Sequence, residues 1–219
     1  MIDKNKKLIV LMPPKTASTS TTWMLENLGY VFSLKTKVVY PRSHMKLSEI
    51  LDMYDVNNFD EYKVMQIVRN PYHRFVSSFY FYKKIIPIYY NPTFKNYNFL
   101  DFSNHLYQSK KSNNFVESFY GDELYVNRCI KNGISWGGTR LHDTQLSWDD
   151  VGVDVKYFKM ETLSSDVSEL ESYLETPIKK FPRLNSQNLQ NYTSLITPEI
   201  KQIITELFDE DFNKFDYIK

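Results

Sequence analysis

Short apolar runs alternate with helical patterns along this chain. Leu8 to Met12 is a continuous apolar run inside an expected strand over 7–12, the pattern of a strand buried on both faces. Pro13-Pro14 stops it. After Lys15 come the small residues Thr16 to Ser20, and then a helical pattern over 18–28, closed by Gly29. The alternation continues with a strand over 30–40, a helix over 46–54, a strand over 63–69 and a helix over 71–84. Pro71 sits at the first helical position, where its missing N–H costs nothing. Pro87, Pro92 and several asparagines then mark a break. Helices over 99–110 and 114–131, a loop from Gly133 to Gly138, a strand over 154–159, a helix over 165–174 and a final helix over 198–214 complete the pattern. Strands alternating with helices predict an α/β fold, a mostly parallel sheet with helices on both faces. The irregular stretches 84–98 and 132–150 are the candidates for a cleft or its lid.

Two strand-to-helix junctions carry chemistry. In the first, the helix N-terminus leaves unpaired backbone N–H groups beside Lys15, and Thr16, Ser18, Thr19 and Ser20 add hydroxyls. This pattern suits a phosphate or a group shaped like one. It is not the common triphosphate loop, which needs two glycines before its lysine, because no glycine precedes Gly29. A plain strand running into a capped helix, with Lys15 as a solvated charge, fits the same letters. In the second junction, Arg69 stands at the C-terminal end of the strand and Ser77 lies on the following helix. That is the sheet edge where ligands collect, and the two residues can hold one anion from two sides. Arg74 either supports that site or makes a surface salt bridge.

Composition narrows the partners. The 219 residues suit one α/β domain with a sizeable core. Lys plus Arg is 27 against 26 for Asp plus Glu, a formal net charge of +1. No basic excess points to nucleic acid, so anion binding must come from local placement of charge. The 17 Tyr and 15 Phe are read mainly as core. Trp23 and Tyr72 are read as core packing rather than as an adenine stack. Cys129 is the single cysteine, so no intrachain disulfide and no cysteine-based metal set is expected. No N-terminal apolar stretch is long enough for a signal peptide or a membrane anchor, and the expected location is cytoplasmic.

Pro14-Lys15-Thr16-Ala17-Ser18-Thr19-Ser20 resembles the 5′-phosphosulfate loop of the sulfotransferases, and Arg69-Asn70-Pro71-x-x-Arg74-x-x-Ser77 resembles their 3′-phosphate motif. That family uses 3′-phosphoadenosine 5′-phosphosulfate (PAPS), a donor with two anionic ends. Further on, His142-Asp-Thr-Gln145, the segment Val155 to Leu163 with Glu161, and the segments Leu184 to Glu199 and Glu210 to Tyr217 resemble the carbohydrate-sulfating branch. The resemblance implies a single P-loop-like domain over 1–219. It would have three layers, a central mostly parallel sheet flanked by helices, with 84–150 as an acceptor-side insertion and loops. It implies that Lys15, Thr16, Ala17, Ser18, Thr19 and Ser20 hold the 5′ end of PAPS and that Arg69 and Ser77 hold the 3′ phosphate. It also implies a hydroxyl acceptor, carbohydrate by branch. One departure matters: Ala17 stands where the family usually has glycine. Alanine tolerates positive φ poorly, so the cradle is expected with Ala17 in the right-handed helical or extended region.

Sulfuryl transfer needs a base for the acceptor hydroxyl, and histidine titrates nearest neutrality. His44 follows the second expected strand and falls beside the Lys15 loop if the two strands are neighbours. It also resembles the position of the carbohydrate branch's catalytic histidine. His142 is the rival base or an acceptor contact, His73 reads as a surface residue, and His105 reads as structural on an amphipathic helix. Lys15 is expected to stabilise charge on the sulfonate and the leaving phosphate, with no metal. Two other classes fit a strand–loop–helix cradle: a P-loop-type ATP-dependent small-molecule kinase and a catalytically silent nucleotide-binding module. A kinase needs a magnesium carboxylate near a strand end, where this chain has Arg69-Asn70.

Overall fold

The computed structural model describes residues 1–32, 44–89, 92–112, 141, 143–184 and 192–219. In chain order the elements are β1 (Ile2–Asp3), β2 (Leu8–Leu11), α1 (Ser18–Asn27), α2 (Leu47–Tyr54), β3 (Lys63–Val68), α3 (Pro71–Tyr89) and α4 (Phe99–Ser112). These are followed by β4 (Lys156–Lys159), α5 (Met160–Leu163), α6 (Ser168–Leu174), α7 (Pro198–Leu207) and α8 (Asp209–Lys214). The chain forms two compact units. The first comprises Met1–Asn70 and Gln145–Gln187, the second Pro71–Thr144 and Asn188–Lys219. The expected helix over 114–131, the loop Gly133 to Gly138, Cys129 and His142 lie outside the described residues.

The first unit holds one four-stranded sheet in the order β1-β2-β3-β4. β1 pairs antiparallel with β2, whereas β2–β3 and β3–β4 are parallel, with Val10 opposite Met65 and Ile67 opposite Phe158. Every residue of β2 is buried, because helices cover both faces of the sheet. Side chains alternate across the strand. Leu8 and Val10 join Met65, Ile67 and Phe158 against Met24 and Leu25 of α1 and Leu170 and Leu174 of α6. Ile9, Leu11 and Val64 pack on the other face with Leu47, Ile50 and Tyr54 of α2 and with Trp148. The expected α/β class with a mostly parallel, helix-flanked sheet is present in this unit.

The second unit is helical. Phe75, Val76, Phe79 and Tyr82 of α3 share one core with Phe99, Phe102 and Leu106 of α4, and with Ile200, Ile204 and Leu207 of α7. Phe75 meets Phe102 with ring centroids 5.3 Å apart, so much of the aromatic content is core, as its abundance suggests.

Four boundaries differ from expectation. Residues 30–32 form no strand, and the rest of 30–40 lies outside the described residues. Both edges of β2 are taken, one by β1 and the other by β3, the next described strand after α1. The two-residue β1 is too short to show a period. Helix α3 runs on to Tyr89 through Pro87, where proline removes one helical hydrogen bond and crowds the carbonyl four residues earlier. The final helix is two helices, because Phe208 leaves helical geometry at φ −125° and ψ 28°.

Candidate functional site

The end of β2 leads directly into the Lys15 loop. Pro13 and Pro14 cannot continue a hydrogen-bonded ladder. Beyond them Lys15 and Ala17 take left-handed backbone angles, φ 68° and φ 67°, with Thr16 between them outside that region. Alternation of this kind turns successive N–H groups toward a common concavity. Helix α1 then starts at Ser18 with Ala17 as its N-cap and no side-chain cap. Among the described residues, no acceptor receives the backbone N–H groups of residues 16–20.

Ala17 corrects the expectation of a right-handed or extended residue. The loop requires positive φ there, as a glycine would supply, and alanine bears roughly 1–2 kcal/mol of steric cost. The hydroxyls are also divided. Thr16 is buried and donates to the Pro13 carbonyl at 2.7 Å, which leaves only its N–H for a ligand. Ser20 accepts from the Leu184 N–H at 3.0 Å and retains its own O–H. Ser18 and Thr19 have no side-chain partner among the described residues.

Burial, and second the charge of Arg69, push the Lys15 ammonium down to about 8. Arg69 follows the last residue of β3, and its Nη1 donates to the Lys15 carbonyl at 3.2 Å. The expected 5′ and 3′ residues Lys15 and Arg69 therefore meet within the first unit. The backbone of Arg69 is held from both sides by one side chain. Gln145 Oε1 accepts from the Arg69 N–H at 2.8 Å, and Gln145 Nε2 donates to the Arg69 carbonyl at 2.9 Å. Gln66 Nε2 in turn donates to the Gln145 carbonyl at 2.7 Å. Glu161 Oε1 accepts from the Asn70 N–H at 2.9 Å. Gln145 and Glu161 were visible only as points of resemblance. Nothing in the sequence singles out Gln66.

His44 lies beside the end of β2. Its Nδ1 is 2.7 Å from the Met12 carbonyl, and its ring stands edge-on to Trp148 at 6.4 Å. A carbonyl can only accept, so Nδ1 carries the hydrogen, and the Nε2 of the neutral ring carries the lone pair. The Met12 carbonyl, at the end of the β2 run, thus fixes the tautomer of His44.

In the second unit, Ser77 on α3 is nearly buried, and its hydroxyl has no partner among the described residues, whereas the Ser78 hydroxyl donates to the Arg74 carbonyl. Arg74 is neither a surface residue nor a half of an open pair. It is 1% exposed, 3.8 Å from Asp211, donates to the Asp143 carbonyl at 2.9 Å and lies over the Phe208 ring. His73 is also not a plain surface residue, since its ring hydrogen-bonds the Tyr192 hydroxyl. His105 packs edge-on against Phe94 and Tyr97 in the structural role expected of it. Tyr72 packs on Phe212, but Trp23 is 50% exposed and is not core.

Among the described residues, no cluster of His, Cys, Asp and Glu is placed to hold a metal, and no helix is long and apolar enough to cross a membrane. A family model described as "Sulfotransferase family" matches residues 1–218. No curated protein and no solved structure gives a match.

Proposed function

The chain belongs to the sulfotransferase family, and on that premise we propose that it transfers the sulfuryl group of PAPS to a carbohydrate hydroxyl with His44 as base. One observation carries this reading: the end of β2 organises both halves of the chemistry. Its Met12 carbonyl orients His44, and within three residues the chain reaches the Lys15 cradle. The uncommitted N–H groups of residues 16–20 and the adjacent cations Lys15 and Arg69 fit a donor with phosphate at both ends.

PAPS supplies the sulfuryl group and leaves as adenosine 3′,5′-bisphosphate. His44 Nε2 takes the acceptor hydroxyl proton as the acceptor oxygen bonds to sulfur and the bond from sulfur to the bridging phosphate oxygen breaks. Lys15 and the N–H groups of residues 16–20 stabilise the charge that gathers on that oxygen. Arg69 holds the 3′ phosphate and so fixes the donor's reach, and the motif resemblance gives Ser77 the same role. The guanidinium fork suits a phosphate oxygen pair. The carbohydrate acceptor rests on the resemblance of residues 142–163 and 184–217 to the carbohydrate-sulfating branch.

The test is a mass-shift screen in which PAPS is offered with sugars, tyrosyl peptides and simple alcohols. A sugar should gain one sulfuryl group. Lys15→Ala should abolish the gain, and His44→Ala should reduce it about 10²–10⁴-fold while bisphosphate affinity stays near wild type. Transfer to tyrosyl peptides alone would overturn the acceptor class. Undiminished transfer by His44→Ala would overturn the base.

A further inference from the structure

The Arg69–Asn70 corner is built more firmly than a strand end needs. The sheet ladder reaches Leu11 opposite Gln66 on one side and Val68 opposite Lys159 on the other. Arg69 lies past both, so its N–H and C=O need other partners. One primary amide, that of Gln145, serves both. A two-point bond of this kind stands in for a neighbouring strand and fixes the rotation of the Arg69 backbone. Gln145 is fully buried and is itself held at its carbonyl by Gln66. Gln66 is 0% exposed in the middle of β3, between Met65 and Ile67 of the core. Its Oε1 is buried without a hydrogen bond among the described residues. A parallel core strand would be more stable with an apolar residue at that position. A local rule broken in the core is expected where function requires it.

We propose that Gln145, backed by Gln66, is a positioning residue that aims the Arg69 guanidinium at the 3′ phosphate of the nucleotide. The inference rests on the reading of Arg69 given above. Gln145 touches no ligand and acts through the backbone it clamps. Glu161 completes the corner by taking the next N–H. Without the clamp, the Arg69 backbone is free to rotate and its side chain no longer lies beside Lys15.

The experiment is calorimetric titration of adenosine 3′,5′-bisphosphate and adenosine 5′-monophosphate into wild type, Arg69→Ala, Gln145→Met, Gln66→Met and the Arg69→Ala/Gln145→Met double variant. Methionine keeps the volume of glutamine and removes only its hydrogen bonds. Gln145→Met should weaken the bisphosphate about tenfold, the equivalent of one lost well-made contact, and should leave the monophosphate within about twofold. Gln66→Met should show the same selective loss, but smaller. In the Arg69→Ala background, Gln145→Met should cost the bisphosphate no further affinity. Two results would overturn the inference: equal losses for both nucleotides, or a full additional loss in the double variant. If Arg69→Ala itself leaves the preference for bisphosphate intact, the reading of Arg69 fails first. Should Gln145→Met not fold, Gln66→Met decides, since the same selective loss is required of it.

Discussion

Arg69 and Arg74 belong to one short motif, yet their surroundings assign them opposite work. Arg74 is enclosed in the second unit by Asp211, the Asp143 carbonyl and the Phe208 ring. Arg69 extends to the Lys15 carbonyl in the first unit and sits close enough to lower the Lys15 pKa. A guanidinium closed in by a carboxylate is a packing device, because its charge is already answered. One set against a second cation raises the local positive potential and favours an anion. Residue type and motif position do not separate the two cases. The neighbours do.

That contrast can be broken in order of expected effect. Arg74→Ala leaves Asp211 buried without its cation and should cost about 3–5 kcal/mol of stability in denaturant unfolding. The preference for bisphosphate over monophosphate should survive, and a lost preference in a still-folded Arg74→Ala protein would place Arg74 in the ligand site. Arg69→Ala should do the reverse. It should weaken adenosine 3′,5′-bisphosphate by roughly 1.5–3 kcal/mol, with unfolding nearly unchanged, and a matching loss for adenosine 5′-phosphosulfate would remove the 3′ assignment.

Next is pH. Lys15 is pushed down to about 8 by burial and then by Arg69. It is charged below that value and neutral above it, so bisphosphate affinity should fall as pH rises through about 8, approaching tenfold per unit. Arg69→Ala removes one of the two causes and should move the midpoint up, and Arg74→Ala should leave it in place. A flat profile between neutrality and the ordinary lysine range would show that the Lys15 charge does not bind the ligand. The smallest effect concerns the loop itself. Ala17→Gly removes the left-handed strain of alanine but adds unfolded-state entropy, for a net gain of up to about 1 kcal/mol in unfolding. Ala17→Val should lose more than that, and a Val variant as stable as Gly would mean that the loop does not need positive φ.

Local pattern showed one class of feature and missed another. The strand–loop–helix at β2 and α1 was legible because the apolar run, the proline stop and the closing Gly29 are contiguous. Gly29 at φ 78° ends α1, with Tyr30 N–H donating to the Leu25 carbonyl. Lys15 and Arg69 were legible as residue types at strand ends, whereas the strand expected before His44 is absent at 30–32 and otherwise lies outside the described residues. The clamp was not legible, since Gln66 and Gln145 meet only through the fold. The Thr16 hydroxyl is committed to the Pro13 carbonyl by the turn of the loop, which residue type alone does not reveal. The left-handed angle of Ala17 was hidden because alanine usually signals the opposite. The buried state of Arg74 depends on Asp211, near the other end of the chain.

What the Lys15–Arg69 site binds decides the proposed function most directly. Adenosine 3′,5′-bisphosphate, adenosine 5′-monophosphate and ATP can be titrated into the protein in magnesium-free buffer. The bisphosphate should bind tightly, the monophosphate more weakly and ATP poorly, with the bisphosphate advantage lost in Arg69→Ala. Tight ATP binding that requires added magnesium, with no preference for the 3′ phosphate, would contradict the proposed function and point to a nucleotide-dependent kinase.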